Sequence, residues 1–586
     1  MNNNIKNKVL RRIMTENKWV GKTFSVKELD RLIKEHGVLR PIAQVLACRG
    51  ISSENIGEFF NATLNDLSSP YELPGTERAS ARLWEALKRD EHILIHGDFD
   101  VDGLTSSALL SWVLTECGAN VSIFIPHRLD TGYGFTSESL DNALKVYKCN
   151  LLLTVDCGIT SNDAVDRANS LGIDVIITDH HEQASKLPAA HTIINSKVHP
   201  ELKKLHCLAG VGTAFKLAHA FIKYGVDNGL TFKKIDLKEV LDLVALGTVA
   251  DIVPLFGENR ILTKYGLKVL SRQVRPGIRA LCEITGVNGS LKSTDIAFKL
   301  APYINAAGRL GDPGVAYKLL NTASIVEATA LVKQLKDYNN QRRSKEKEIF
   351  EEAESQIYQT IKMNESYSIL IYGHNWHQGV IGNVASRVAR DYNRPTIVLT
   401  IIDGQAYGSG RSSANVNLVS ILTGSDDILT RYGGHPMAVG LSLNPKDIDL
   451  LKKRFEDSVS NVITPEDLIP QMDYDGDIYI PELDQKFFDE LERLEPFGFG
   501  NLQPTFRLTN LSVPYVKTIG QGHSKGYLKD SNNYSIQFIA FNFSEDKLPE
   551  PPWDVLAVPQ INNYNGSMTL QLSVIDIKHS SGITAF

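Results

Sequence analysis

From about residue 90 onward, short apolar runs alternate with longer stretches of helical periodicity. A short apolar run bounded by polar residues is typical of a buried strand, whereas apolar residues that recur every three or four positions indicate an amphipathic helix. The alternation predicts a doubly wound, mainly parallel sheet with helices on its faces. The predicted strands are 92–95, 121–125, 151–155, 174–178 and 192–194, and the helices between them are 104–116, 137–147 and 161–171.

The remaining periodicities predict an α/β multidomain protein. A long helical pattern at 325–362 has a polar centre, which is typical of a solvated connector between two lobes. A shorter α/β pattern follows it, and then five alternating apolar runs predict a small barrel that resembles the oligonucleotide-binding (OB) fold. The predicted divisions are a helical region at 1–85, the doubly wound α/β domain at 86–285, the connector with its long helix at 286–364, a second, smaller α/β domain at 365–465 and an OB-like β-barrel at 466–586.

Composition narrows the function classes only moderately. A chain of 586 residues is too long for one hydrophobic core. With a net charge of −6, the protein as a whole is not basic, so a nucleic acid would have to bind in a local groove. The six cysteines include no CxxC pair, which favours a reducing compartment and argues against a cysteine zinc site. With neither a signal peptide nor a membrane-spanning apolar run recognisable, we expect a cytoplasmic protein without a membrane partner.

Acidic and histidine residues follow the predicted strands where each strand ends. The first strand leads into His96-Gly97-Asp98-Phe99-Asp100-Val101-Asp102-Gly103, the third into Asp156-Cys157-Gly158 and the fourth into Asp179-His180-His181. A further acid, Asp251, closes an apolar helical run at 240–250. Because the carboxyl ends of parallel strands meet at one edge of a sheet, we expect these side chains to lie together.

A single acid at a strand end is often only a turn former or a helix cap. Several carboxylates at one edge repel one another, however, and a bound cation removes that repulsion. Oxygen-rich ligand sets with one or two imidazoles favour manganese or magnesium over structural zinc. Enough ligands are present for two divalent cations, Mn²⁺ or Mg²⁺, that share a carboxylate. We therefore predict metal-assisted hydrolysis of a phosphoester.

The four motifs resemble, in this order, those of the DHH phosphoesterase superfamily. Later motifs make the chain similar to the RecJ family of bacterial single-stranded-DNA exonucleases over about 90 to 580. The resemblance implies two cation sites that share Asp156. It assigns His96, Asp100 and Asp156 to one cation, and Asp102, Asp156, His180 and Asp251 to the other.

The same resemblance implies supporting roles in catalysis for three further residues. Asp98 would lie behind the ligands or be a supporting ligand itself, Asp179 would orient His180, and His181 would face the scissile phosphate. An Arg that ends the second strand, Arg128, would help to hold the 5′ phosphate of the substrate.

Two later segments are implied to contact the substrate backbone. The segment 305–310 is predicted to be a small-residue turn, with close helix packing as the alternative. The resemblance implies that Asn305 and Arg309 contact the active-site phosphate or the DNA backbone. Glycine-rich pieces between 365 and 465 resemble the DHH-associated substrate domain. They match Ser409 and Arg411 to a 5′-phosphate pocket and His435 to a Gly-Gly-His motif.

The function implied is a single-stranded-DNA-specific 5′→3′ exonuclease of DNA repair and recombination, acting on strands with a 5′-phosphate end. A single-strand-binding protein and a helicase are implied as partners, and a monomer is the default state. Two alternatives stay open: a DHH phosphodiesterase or pyrophosphatase for small nucleotides, and a catalytically silent single-strand-binding factor. The connector and barrel argue against the first, because a small substrate needs no long groove, and the complete acidic set argues against the second.

Overall fold

The computed structural model describes residues 17–127, 134–229, 235–363, 365–520, 522–564 and 567–580. Within these residues, a parallel α/β lobe and a smaller, mixed α/β lobe are joined by one long helix and followed by a barrel. The fold class predicted from periodicity is confirmed.

The N-terminal region packs on the far C-terminal part of the chain. Strand β1 (Lys18–Gly21) pairs in parallel with a strand at Gln471–Tyr474. The apolar faces of the helices that follow share one core with barrel residues such as Phe506 and Phe538. These helices are α1 (Val26–His36), α2 (Arg40–Cys48) and α3 (Ile56–Asn61). The two ends of the described chain therefore stabilise each other.

The first lobe is built on a five-stranded parallel sheet. Its strands are β2 (His92–Gly97), β3 (Asn120–Phe124), β4 (Leu151–Val155), β5 (Asp174–Thr178) and β6 (Thr192–Ile194), and the helices around them are α4 (Thr76–Lys88), α5 (Val101–Glu116), α6 (Ser137–Val146) and α7 (Asn162–Ser170). The strand order is β3-β2-β4-β5-β6. After β2 the chain crosses to β3 on one side, and after β4 it crosses to β5 on the other side. A crevice therefore opens outside the carboxyl ends of β2 and β4.

A helical layer completes this lobe. Its helices are α8 (Gly210–Asp227), α9 (Leu241–Ala250), α10 (Gly257–Leu270), α11 (Pro276–Thr285), α12 (Ala301–Leu310) and α13 (Pro313–Asn321). The prediction of a turn at 305–310 is wrong, because this segment forms the second half of α12. Its small residues instead permit close packing: a Cβ atom on Gly308 would lie 2.8 Å from the carbonyl oxygen of Phe99.

Helix α14 (Ile325–Thr360) connects the two lobes, as its polar centre predicted. Near its start, Val332 and Leu335 join the core of the first lobe. Near its end, Phe350 and Ile357 pack in the second lobe. Each end of the helix is thus anchored in a different core.

The second lobe has a five-stranded mixed sheet in the order β10-β11-β9-β8-β7. Its strands are β7 (Ile369–His374), β8 (Thr396–Ile402), β9 (Gln405–Arg411), β10 (Leu429–His435) and β11 (Ala438–Leu443), and its helices are α15 (Gln378–Tyr392), α16 (Leu418–Leu422) and α17 (Ile448–Ser460). The pair β7 and β8 is parallel, and the other pairs are antiparallel.

The C-terminal strands close into a five-stranded barrel, because β14 pairs with both β15 and β17. The elements here are β12 (Gln471–Tyr474), β13 (Gly476–Asp477), α18 (Gln485–Arg493), β14 (Phe506–Ile519), β15 (His523–Lys529), β16 (Ser535–Ala540), β17 (Trp553–Tyr564) and β18 (Ser567–His579). Among the described helices, none is both long enough and apolar enough to cross a bilayer.

Candidate metal centre and phosphate pocket

The loop between β2 and α5 carries three carboxylates to the crevice. Asp98 is fully buried, and its Oδ1 accepts a hydrogen bond from the N–H of Phe99 at 2.9 Å. Asp100 caps α5, because its Oδ1 accepts from the N–H groups of Asp102 at 3.0 Å and Gly103 at 3.1 Å. A Cβ atom on Gly103 would lie 2.5 Å from the carbonyl oxygen of Asp98. The loop is therefore held in one tight conformation.

Asp102, in the first turn of α5, is bound by the N-terminus of α8. Its Oδ2 accepts from the N–H of Gly210 at 2.6 Å, and its Oδ1 accepts from the N–H of Val211 at 2.9 Å. A helix N-terminus stabilises a negative charge at this position. Two glycines permit the close approach, since a Cβ atom on Gly210 or on Gly247 would lie 2.9 Å from an oxygen of Asp102.

Asp156 follows β4 with an unusual backbone conformation, a φ of +60°. This left-handed region is unfavourable for side-chain-bearing residues, although Asp tolerates it better than most, and such residues concentrate at functional sites. Its N–H donates to the carbonyl oxygen of Thr178 at 3.0 Å and thereby continues the pairing of β4 with β5. The bend fixes where a buried carboxylate leaves the sheet.

Asp179 organises the turn after β5. Its Oδ1 accepts from the N–H groups of His180 at 2.7 Å and His181 at 3.0 Å, and lies 2.8 Å from Nδ1 of His181. Its Oδ2 accepts from the N–H of Ile159 at 2.9 Å. Asp179 thus holds the backbone of both histidines and the ring of His181.

The ends of separate elements converge on His180. Its Nε2 lies 3.1 Å from Oδ1 of Asp156, 3.5 Å from Oδ2 of Asp251 and 3.9 Å from Oδ2 of Asp102. Asp251 immediately follows α9. One imidazole nitrogen is therefore shared among carboxylates that are distant in the sequence.

Ligand atoms of the described residues form three groups, within each of which all atoms lie within 4.8 Å of one another. The groups are Asp102, His180 and Asp251; Asp156, His180 and His181; and Asp98, Asp100 and Asp156. Buried Asp156 Oδ1, His180 Nε2 and Asp251 Oδ2 lack a hydrogen-bond partner among the described residues. Such atoms are costly unless something binds them, and carboxylate oxygens with imidazole fit Mn²⁺ or Mg²⁺.

Burial and mutual repulsion oppose ionisation of these carboxylates. Burial, and then the charge of Asp100, raise the pKa of Asp102 to about 7. Burial and the charge of Asp102 raise the pKa of Asp251 to about 9 and that of Asp156 well above its usual range. Burial lowers the pKa of His180 to about 3, which keeps its ring neutral. A divalent cation favours the anionic carboxylates and the neutral imidazole that this centre needs.

His181 differs from His180 in its charge. Burial by itself would lower the pKa of His181, but the hydrogen bond to Asp179 and the charge of that acid raise it to about 9. Burial opposes the ionisation of Asp179, yet its pairing with His181 lowers the pKa of Asp179 to about 2. The ring of His181 therefore carries a proton near neutral pH.

His96 lies in the wall of the crevice and is fully buried. Its ring centroid lies 5.6 Å from that of Phe124 and 5.0 Å from that of Phe135. Its Nε2 is 3.0 Å from Oγ of Ser139, and its Nδ1 is 4.0 Å from Sγ of Cys157. Burial lowers the pKa of His96 to about 4, so the ring is neutral. Its nitrogens lie outside the three ligand groups of the described residues.

Helix α12 places two predicted residues beside the acidic loop. Oδ1 of Asn305 accepts from the N–H of Val101 at 3.3 Å. Nη1 of Arg309 donates to Oδ1 of Asn383 at 2.7 Å and to the carbonyl oxygen of Gly379 at 3.4 Å, both on α15. Asn305 therefore contacts the loop, and Arg309 bridges the two lobes.

The second lobe contributes a small polar pocket. Nη1 of Arg411 donates to Oγ of Ser409 at 2.9 Å, and Nε of Arg411 donates to Oγ of Ser386 at 3.0 Å. A Cβ atom on Gly382 would lie 3.1 Å from Nη2 of Arg411 and 3.2 Å from Oγ of Ser409. A guanidinium, two hydroxyls and a bare glycine surface suit a small anion such as a phosphate group.

His435, at the end of β10, joins this lobe to the metal centre. Its ring stacks on that of His181, with centroids 6.5 Å apart and an interplanar angle of 16°. The predicted residue thus meets the predicted centre across the interface between lobes.

One predicted residue, Arg128, lies outside the described residues. Sequence reasoning missed three further residues that the structure places in the site, namely Ser139, Asn383 and Ser386. The Thr136–Ser139 spacing, which is that of a capping box, could have drawn attention to Ser139. Asn383 and Ser386 lie three residues apart on one helical face, but the sequence does not indicate what that face meets.

A groove of about 510 Å³ leads away from Asn305 and Arg309 along the start of the barrel. Two of its lining residues, Phe298 and Phe499, expose 75% and 54% of their surface. Apolar walls beside a cationic group suit the bases and backbone of a single strand.

Three family models match the chain: the DHH family N-terminal domain at residues 92–248, the DHHA1 domain at 360–461 and the RecJ OB domain at 474–576. The single-stranded-DNA-specific exonuclease RecJ of Escherichia coli is 33% identical over 570 residues, covering 94% of this chain and 98% of that protein. RecJ of Bacillus subtilis is 33% identical over 544 residues, covering 91% of this chain and 67% of that protein.

Two solved structures of the RecJ protein of Thermus thermophilus also resemble the chain. The complex with Mn²⁺ has a TM-score of 0.81 at 30% identity and covers 97% of this chain and 80% of that one. The complex with Mg²⁺ has a TM-score of 0.76 at 28% identity and covers 98% of this chain and 80% of that one.

Proposed function

The chain belongs to the RecJ family of single-stranded-DNA-specific exonucleases, and on that basis we propose how its site acts. It is a metal-dependent hydrolase that removes nucleotides from single-stranded DNA, and we assign its direction as 5′ to 3′. The observation that carries this proposal is the convergence of strand ends on Asp156 and His180, with buried ligand atoms that lack hydrogen-bond partners.

Two cation sites that share Asp156 would use every member of the three ligand groups except His181. Asp156 belongs to two of these groups, which supports a bridging role. One site would take Asp102, Asp156, His180 and Asp251, and the other would take Asp100 and Asp156 with Asp98 in support. The family resemblance adds His96 to the second site. Bound Mn²⁺ or Mg²⁺ supplies activation of water and neutralisation of phosphate charge.

His181 then acts as a donor to the scissile phosphate. Its Nδ1 faces the Asp179 carboxylate, and we assign its Nε2–H to a phosphate oxygen of the substrate. The high pKa of His181 keeps that proton in place near neutral pH. His435 stacks on this ring and limits its rotation.

The direction of degradation follows from the second lobe. Ser409 and Arg411 bind the terminal 5′ phosphate, which positions the first phosphodiester bond at the metal centre. Asn305 and Arg309 contact the next part of the backbone, and Arg128 helps to hold the 5′ phosphate. Apolar groove walls receive the bases by stacking, so sequence preference is weak.

The assay that tests this function compares substrates in the presence of Mn²⁺. We expect mononucleotides from a 5′-phosphorylated single strand, slower release from the 5′-hydroxyl strand, and little release from a blunt duplex or a cyclic dinucleotide. Chelation should stop the reaction. Equal or faster attack on the cyclic dinucleotide would instead favour a small-nucleotide phosphodiesterase, and strand binding without release would favour a silent binding factor.

The remaining assignments are carried over from the sequence patterns and the family resemblance. We propose a cytoplasmic monomer with domains at 1–85, 86–285, 286–364, 365–465 and 466–586. A helicase that exposes a single strand and a single-strand-binding protein that covers it are the partners that such a substrate requires. Sedimentation of the purified chain, alone and with a single-strand-binding protein, tests the oligomeric state and that partner.

A further inference from the structure

We propose that Ser139 is a positioning residue for the metal centre: it fixes the tautomer of His96, so that Nδ1 is left as the ligand atom. This inference rests on the proposed role of His96 as a ligand. Ser139 lies on α6, 43 residues further along the chain. It belongs to none of the motifs that follow the strands of the first sheet.

The contact between the two residues is buried on both sides. His96 and Ser139 each have no exposed surface. Oγ of Ser139 lies 3.0 Å from Nε2 of His96. Water therefore does not compete for this hydrogen bond, and the proton on the imidazole must be assigned from the protein groups around it.

The hydrogen-bond partners of the Ser139 hydroxyl indicate which imidazole nitrogen carries the proton. Its hydroxyl donates to the carbonyl oxygen of Thr136 at 2.9 Å, and its oxygen accepts from the N–H of Thr136 at 2.9 Å. A serine hydroxyl has one hydrogen, and we assign that hydrogen to the carbonyl, the nearer of its two possible acceptors. The oxygen can then only accept from His96, which puts the imidazole proton on Nε2.

The other face of the ring agrees with this tautomer. Nδ1 of His96 lies 4.0 Å from the Sγ of Cys157, which is also buried. Cysteine sulfur is a weak acceptor, and at this distance a proton on Nδ1 would be buried almost without a partner. With the proton on Nε2, a lone pair of Nδ1 faces Cys157, the residue that directly follows Asp156.

Metal-binding histidines commonly donate their second N–H to a neighbouring group, and loss of that neighbour costs roughly 10- to 100-fold in metal affinity. Ser139 performs this role at His96 and simultaneously forms the capping box of α6 with Thr136. The start of α6 and the orientation of one ligand are thereby coupled.

The first test reads the tautomer directly in the metal-free, full-length protein. Nitrogen chemical shifts of ¹⁵N-labelled histidine distinguish the two neutral tautomers, and the His96→Gln variant identifies the His96 signals. We expect the Nε2–H form in the wild type. The Nδ1–H form would overturn the proposal, and this readout needs no Ser139 variant to fold.

The second test is calorimetric titration of Mn²⁺ into wild type, Ser139→Ala, His96→Gln and the double variant. Ser139→Ala should weaken one Mn²⁺ site by roughly 10- to 100-fold. Since Ser139 acts through His96, its effect should disappear in the His96→Gln background. Equal effects of Ser139→Ala in both backgrounds would overturn the proposal.

The matched control is Thr136→Val. It removes the side-chain acceptor for the N–H of Ser139 but leaves both backbone groups that hold the Ser139 hydroxyl. It should lower the melting temperature as Ser139→Ala does, with Mn²⁺ affinity within about twofold of wild type. A loss of affinity equal to that of Ser139→Ala would mean that the helix cap, and not the tautomer, matters.

Failure of the underlying function gives a different result. If His96→Gln leaves both Mn²⁺ sites unchanged, His96 is not a ligand and the proposed ligand set is wrong. If His96→Gln weakens binding whereas Ser139→Ala does not, the ligand set stands and the role of Ser139 is refuted.

Discussion

The two lobes contribute to one site in different ways. In the first lobe the carboxylates are buried and held largely by backbone N–H groups, as at Asp102 and Asp179. In the second lobe the pocket around Arg411 is half-buried and held by side-chain hydroxyls of Ser409 and Ser386. In the proposed function, the first half is a preorganised cage for cations and the second is a solvated receptor for an anion.

The difference reflects what each half must bind. Clustered carboxylates are costly when buried, so their positions must be fixed before a cation can repay that cost. A phosphate pocket must admit and release a nucleotide in every cycle, and partly exposed hydroxyls and a guanidinium can do so with little reorganisation. Substitutions should therefore have different consequences in the two lobes.

The strongest effect is expected from Asp156→Ala in the rigid half. Loss of the shared carboxylate should remove Mn²⁺ binding at both sites and reduce exonuclease activity by more than about 100-fold, because a direct ligand matters more than its supporting neighbours. Calorimetry and release of mononucleotides measure the two effects.

The control for Asp156→Ala is the exposed Asp166, also in the first lobe. Asp166→Ala should leave both quantities unchanged. Near-normal activity in Asp156→Ala would contradict the bridging role.

In the solvated half, Arg411→Ala should alter substrate choice and leave Mn²⁺ binding intact. A hydrogen bond to a charged group contributes about 1.5–3 kcal/mol, so the preference for a 5′-phosphorylated over a 5′-hydroxyl strand should fall by roughly 10- to 100-fold. Competition between the two strands measures it. The exposed Arg390 on the same lobe supplies the matched control, Arg390→Ala, and an unchanged preference in Arg411→Ala would remove the pocket assignment.

Metal removal should make stability depend on pH. The folded-state pKa values of Asp102, Asp251 and His181 are raised to about 7, 9 and 9. The folded state therefore holds more protons than the unfolded state, and the stability of the chelated protein falls as pH rises from about 6.5 to 9. His180 and His96, with lowered pKa values, are neutral in the folded state throughout that window. In the unfolded state they lose their protons near pH 6.5, so they oppose this fall only at the lower end of the window.

Thermal unfolding at several pH values measures this dependence. Mn²⁺ should raise the melting temperature more at pH 8.5 than at pH 6.5, since binding requires deprotonated ligands. Parallel curves with and without Mn²⁺ would argue that these groups do not bind the cation.

A matched pair of glycine substitutions compares the two halves most directly. A Cβ atom on Gly210 would lie 2.6 Å from Oδ1 of Asp156, whereas one on Gly382 would lie 3.1 Å from the flexible end of Arg411. Gly210→Ala should cost about 1–3 kcal/mol of stability and weaken Mn²⁺ binding. Gly382→Ala should cost no stability, because the Arg411 end can move and alanine favours the interior of α15 by up to about 1 kcal/mol. Equal costs, measured by urea unfolding, would remove the contrast between rigid and adaptable halves.

Local periodicity predicted most of the architecture. The five strands of the first sheet and the long connector agree with their predicted positions to within about two residues. The acids that follow those strands also meet, because parallel strands must bring their carboxyl ends to one edge. The same reasoning mistook 305–310 for a turn, since small residues are equally compatible with a turn and with a closely packed helix.

The amino-acid sequence by itself determined which side chains stand at the strand ends, because alternation of apolar and polar positions is encoded locally. Only the tertiary structure decided that His435 stacks on His181, that Arg309 contacts Asn383, and that Ser139 meets His96. Each of these contacts joins elements far apart in the chain. Their positions depend on how helices and lobes pack, and packing is a property of the whole fold.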